Sequence, residues 1–254
     1  MSSTSETGHA KNVANFEDLI SFCTAYGATY NPVKATIKLA ALNTLWTTAQ
    51  GNIAAVVTAS TAFINATNAR QITFYPLKPL ATRIINAFSA TDATDEAIAD
   101  TKTINRKIQG ARKGDNGKNL NPPATPSPGN PTSPTAPDHN QISVSQQSYD
   151  SLLENFKKLT SLVASEASYK PNEVELKIAT LSALAANLSA KNTSVINATT
   201  DISNARIARD KTLYASKTGL YDTAQEVKKY VKSVFGATSP QYKQVSRIKF
   251  TAPR

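Results

Sequence analysis

The chain has 254 residues, 40% of them hydrophobic, a formal net charge of +10 and a single cysteine. That length and apolar content suffice for one large core or two ordinary ones, which excludes a disordered chain. A lone Cys23 excludes an internal disulfide and a cysteine-based zinc site, because both need partners. With only nine glycines and with Ala, Ser, Thr and Asn filling the long stretches between breakers, the composition points to an all-α fold.

Met1 is followed by the polar run Ser2 to Asn12, with no apolar core of the length a secretory signal needs, and no later window is apolar enough to span a membrane. The reading therefore favours a cytoplasmic protein without membrane insertion. Residues 1–11 read as a disordered tail, 12–110 as a first helical bundle, 111–141 as a proline-rich linker, 142–250 as a second bundle and 251–254 as a tail. The linker assignment rests on Pro122, Pro123, Pro126, Pro128, Pro131, Pro134 and Pro137, set among polar residues that can bury no core.

The two halves look alike, as expected of an internal duplication. Phe16, Leu19, Ile20 and Cys23 match Tyr149, Leu152, Leu153 and Phe156 at an offset of 133. Thr36 to Leu45 reads against Glu175 to Leu184 without a gap, offset 139, and each run follows a Tyr-x-Pro turn at Tyr30 or Tyr169. Farther on, Asn68-Ala69-Arg70 meets Asn204-Ala205-Arg206, and Leu80, Ile84 and Phe88 meet Val227, Val231 and Phe235.

Each half reads as four helices plus a terminal piece. Tyr149, Leu152, Leu153, Phe156, Leu159, Leu162 and Val163 recur at three and four residues, one apolar helical stripe. Leu176, Leu181, Leu184 and Leu188 form the next, and breaks near Gly51-Asn52 and Lys191-Asn192 separate it from a third helix. Gly219 is expected to stop that helix, and Gly236 the one carrying Val227, Val231 and Phe235. Pro76 and Pro79 open the fourth helix of the first half. Thr94 to Gln109 forms a fifth helix, with Asp95 and Glu96 in its first turn and Arg106 and Lys107 in its last, an order that complements the helix dipole. Ser239-Pro240 caps and opens a short last helix. Short turns imply antiparallel neighbours, so the expected fold is two tandem up-and-down bundles.

Catalytic equipment is sparse. His9 and His139 fall in segments read as tail and linker, where an imidazole cannot be held as a general base. Cys23 could be a nucleophile, but it lies in an apolar stripe, where a thiol behaves as a small hydrophobe. No Glu-x-x-His pair or Gly-rich phosphate loop occurs, and the carboxylates at Glu173, Glu175, Asp92, Asp95 and Glu96 suit helix starts. The sequence thus predicts a protein that is not an enzyme, with no cofactor and no metal.

One cluster stands apart. Residues 1–110 carry nine Lys and Arg against seven Asp and Glu, whereas 141–254 carry sixteen against nine. Within the basic half, Lys228, Lys229, Lys232, Lys243, Arg247 and Lys249 are interleaved with Tyr230, Tyr242 and Phe250, a candidate anion-binding face. The first two lysines align with Ala81 and Thr82 of the first half. The competing reading is a solvated face that keeps the chain soluble.

The stretch Leu213-Tyr214, Gly219-Leu220, Val227 to Lys232, Phe235-Gly236, Ser239, Tyr242-Lys243, Val245 and Ile248 to Phe250 resembles the ends of hypothetical proteins of Bacteroidota bacteria. That resemblance implies a bacterial source and supplies no activity, cofactor or site residue. The expected function is a structural, assembly or protein-interaction module whose partner is a second copy or another subunit. The alternative is a module that binds an anionic polymer, nucleic acid or acidic glycan, through the basic half.

Overall fold

The computed structural model describes residues 7–110 and 147–252, and among these the fold is all-α with no strand. In the first half, α1 (Thr7–Ala25) is followed by 3-10 turns at Gly27–Thr29 and Ala35–Ile37, then α2 (Leu39–Phe74), α3 (Leu77–Ser89) and α4 (Asp95–Gln109). In the second, α5 (Tyr149–Ala164) leads through a 3-10 turn at Val174–Leu176 to α6 (Ile178–Tyr214), α7 (Leu220–Phe235) and α8 (Pro240–Ser246). The proline-rich segment 111–141, with His139, lies outside the described residues.

Helix boundaries follow local chemistry. Thr94, Ser148 and Ser239 cap α4, α5 and α8, each hydroxyl accepting the N–H three residues on, which satisfies a donor the first turn leaves unpaired. Gly110 closes α4 in the left-handed region at φ 80°. Gly219 does not end α6, which stops at Tyr214, but caps the start of α7. A Cβ there would stand 2.6 Å from the backbone nitrogen of Ala215, so the tight α6–α7 turn needs glycine for closeness.

Two sequence expectations are corrected. Residues 7–11 belong to α1 and not to a tail. The breaks expected near Gly51-Asn52 and Lys191-Asn192 do not occur, because α2 and α6 run unbroken for 36 and 37 residues. The reason is an interior row at steps of three, four and seven residues. Leu42, Trp46, Ala49, Ile53, Val56, Phe63, Arg70 and Phe74 of α2 are buried or half-buried, as are Leu181, Ala185, Leu188, Asn192, Val195, Ile202, Arg209 and Leu213 of α6. A spacing of this kind keeps one stripe facing inward along a long helix, and one interior glycine costs only about 1 kcal/mol.

Because the long helices do not break, the compact units are not the expected sequential halves. Among the described residues, one unit comprises 7–65 and 196–252, and the other 66–110 and 147–195. The first core joins Phe16, Leu19, Cys23, Tyr30 and Leu42 to Leu213, Leu220, Ala224, Val227, Val231 and Val245. The second joins Phe74, Leu77, Ala81, Ile84, Phe88 and Ile108 to Leu153, Phe156, Leu159, Val163, Tyr169, Leu181 and Leu188. Each unit is thus built from both halves of the chain.

The two halves also share spacings of buried residues. Val13, Phe16, Leu19, Ile20 and Cys23 are buried in α1, and Leu153, Phe156, Leu159, Thr160 and Val163 in α5, a constant offset of 140. By burial spacing Cys23 stands with Val163, not with Phe156. Leu77, Ala81, Ile84 and Phe88 match Leu220, Ala224, Val227 and Val231 at 143, which sets Lys228 and Lys229 opposite Ile85 and Asn86 in place of Ala81 and Thr82. The buried Arg209 is in register with Arg70, at the 139 that also relates the rows of α2 and α6. The Tyr-x-Pro turns repeat in detail: Tyr30 donates from its hydroxyl to the Ile37 carbonyl at 2.7 Å, and Tyr169 to Leu176 at 3.0 Å.

Candidate functional site

The six cations singled out in the sequence all fall in the first unit, on α7, α8 and the segment after it. They do not behave alike. Lys228 is half-buried, donates to the Ile248 carbonyl and lies 5.1 Å from the Phe250 ring centroid; burial pushes its pKa below the usual lysine range. A cation placed over an aromatic face is held by the ring quadrupole, so Lys228 ties α7 to the chain after α8. Lys232 is exposed and sits 5.7 Å from the Tyr242 ring centroid. Lys229, Lys243, Arg247 and Lys249 are exposed. The Lys249 carbonyl accepts a bond from Asn15 Nδ2 at 2.6 Å, which anchors that segment to α1.

The same contacts explain the aromatic residues between the cations. Phe250 packs edge-on to Phe16, Tyr230 edge-on to Tyr30 and Phe235 against Tyr26. These rings close the first core over α1 and are not presented as a stacking platform. The face thus divides into a structural lysine, Lys228, and five exposed cations.

His9 lies on α1, with Nδ1 2.8 Å from the Tyr214 hydroxyl, and Asn12 Nδ2 reaches the same oxygen at 3.3 Å. Asn12 also exchanges bonds of 2.9 Å with the backbone of Thr251 in both directions. This polar seam escapes a sequence reading because its partners are more than 200 residues apart. Cys23 is fully buried, and burial pushes its thiol from 9.0 up to about 12, although the Tyr30 hydroxyl beside it partly offsets the shift. Such a thiol is no nucleophile at neutral pH.

The second unit has its own polar features. Arg70 stacks 4.1 Å from the Tyr149 ring centroid, and buried Asn192 donates to Asp150 at 2.8 Å. At one end a cleft of about 720 Å³ is lined by Arg83, Asp92, Tyr169, Lys170 and Glu173 among others, and Arg83 pairs with Glu175 at 3.1 Å. The corresponding corner of the first unit is occupied by a Lys34–Glu226 pair at 2.6 Å. Among the described residues no group of three or more His, Cys, Asp or Glu is placed to hold a metal, and no helix is long and apolar enough to cross a membrane. Comparison with protein-family models, curated proteins and solved structures finds no match to this chain.

Proposed function

We propose that the chain is a non-enzymatic structural module, descended from a duplicated helical unit, that self-associates through its long helices. The duplication is supported by the recurring order of elements, the constant burial registers and the repeated tyrosine-to-carbonyl bond.

Self-association is carried by one observation. In the first unit, Val57 and Ile64 of α2 and Ile196 and Ile207 of α6 are each more than half exposed. Each lies one position beyond a member of the inward row or its continuation, and Val57 and Ile196 occupy matching places at the 139 offset. Spacings of seven and eleven residues put each pair on one helical face, so each long helix carries two exposed apolar residues on a shared face. Exposed single apolar residues are ordinary; what favours a covering partner is that they recur on a shared face of both long helices, with Val57 and Ile196 at matching places.

Light scattering behind a sizing column, at low and high salt, tests this. A salt-stable mass of two or more chains, reduced by V57S/I64S/I196S/I207S, supports the reading, and a monomer under both conditions overturns it.

A second reading, binding of an anionic polymer, is favoured by the five exposed cations of α7, α8 and the segment after them. It requires K229E/K243E/R247E to remove a salt-dependent affinity for DNA or RNA. Undetectable binding of the unaltered protein at low salt overturns the nucleic-acid version.

A further inference from the structure

The two corner ion pairs, one in each unit, are related in a way that points beyond self-association. Lys34 in the turn before α2 pairs with Glu226 on α7, and Arg83 on α3 pairs with Glu175 in the turn before α6. At the 139 offset of the turns, Lys34 corresponds to Glu173, which lines the same cleft as Arg83. At the 143 offset of α3 and α7, Arg83 corresponds to Glu226. The sign of the charge is reversed at both equivalent places. In both units the first half of the chain supplies the cation and the second half the carboxylate.

We propose that this charge arrangement makes each half of the chain select the unlike half as its partner, excluding pairing with an identical half from another copy. A single half cannot satisfy itself. To these corners the first half brings only cations, Lys34 and Arg83, and the second half only carboxylates, Glu173, Glu175 and Glu226. Like pairing would need the same half of a second chain, and similar backbones and core residues would allow it. It would then set Lys34 against Arg83 at two corners in one assembly, and Glu226 against Glu173 and Glu175 in the other. Specificity is a difference between the right and wrong pairings, and placing like charges in the wrong one widens it. The exposed pairs add little to stability, so discrimination is what their reversed signs achieve.

The test uses the full chain. The double variant K34E/E226K keeps an opposite-charge pair at its corner and leaves Arg83–Glu175 untouched, yet it turns both like pairings into opposite-charge ones. Refolded from urea at the same concentration as the unaltered protein, it is expected to keep the same urea midpoint. With V57S/I64S/I196S/I207S added to every chain compared, so that association through the long helices does not contribute, its multi-chain material by light scattering should rise about tenfold, the ratio that surface pairs of this kind support when two corners change sign. The variant K34E/R83E/E173K/E175K/E226K reverses every charge and restores the discrimination, so it is expected to refold like the unaltered protein. Equal multi-chain yields from K34E/E226K and the unaltered protein overturn the proposal, as does a raised yield from the fully reversed variant. Should K34E/E226K fail to fold, R83E/E173K/E175K makes the same change at the other corner and is read in the same way.

Discussion

Tyr30 and Tyr169 are both 5% exposed, and each spends its hydroxyl on the carbonyl seven residues later. Removing the hydroxyl leaves a buried acceptor without its partner, which costs about 1 kcal/mol. Y30F and Y169F are therefore each expected to lower the urea midpoint by a similar amount, since the two turns have the same geometry; a loss confined to one of them would separate the turns functionally. Cys23 gives a pH signature. Unfolded, its thiol ionises near 9.0; folded, it holds its proton to about 12. Between these values the unfolded chain binds fewer protons than the folded one, so stability falls as pH rises through that window and Cys23 contributes no slope below it. Burial raises Tyr30 as well, with the neighbouring Cys23 adding to it, which extends the decline in the same direction. C23A is expected to flatten the dependence of the urea midpoint between pH 9 and 11, and iodoacetamide should label the unaltered protein at pH 8 only in denaturant. That Cys23 is a core thiol was legible from its stripe. That Lys228 is a strut was not, because its partners, the Ile248 carbonyl and the Phe250 ring, lie on a segment whose return path the local pattern does not encode.

At the scale of the element, capped helices were the most legible, and the long ones the least. Thr94 and Ser239 with Pro240 start α4 and α8 where hydroxyl and proline chemistry places them. Gly51 looked like a break, yet it sits inside α2, exposed and with nothing within 4 Å of where a Cβ would be. Its cost is the conformational entropy glycine loses in a helix, about 0.5–1 kcal/mol relative to alanine. G51A should raise the urea midpoint by that amount, whereas a loop or hinge at this position would make it neutral or harmful. Gly236 provides the contrast: at φ 88° an alanine is strained, so G236A should destabilise. The signal that identifies α2 and α6 as single helices is the heptad-like spacing of their interior rows, which passes through Gly51-Asn52 and Lys191-Asn192 without a change of phase. Polar members such as Asn192 and Arg70 obscure it in a reading that follows only apolar residues.

For the whole molecule, the fold class follows from composition and period, but the grouping of helices does not. The expectation of one bundle per half assumed that each half turned back at Gly51-Asn52 or Lys191-Asn192. With those turns absent, α2 begins in one compact unit and ends in the other, and so does α6. Each core then needs residues from both halves, as Phe16 with Val227 in the first and Phe88 with Phe156 in the second. A physical consequence follows for cleavage. If 12–110 and 142–250 were separate bundles, a protease site inserted between residues 110 and 147 would release two bodies of roughly half the mass. With cores shared between the halves, the fragments stay together through the buried apolar surface of two cores, which contributes about 25 cal/mol per Å² removed from water. The cleaved protein is therefore expected to elute at the mass of the intact protein and to part only when urea unfolds it. Its urea midpoint should fall on dilution, because rejoining two fragments depends on concentration while refolding one chain does not. Two half-mass species in native buffer would return the molecule to the tandem arrangement.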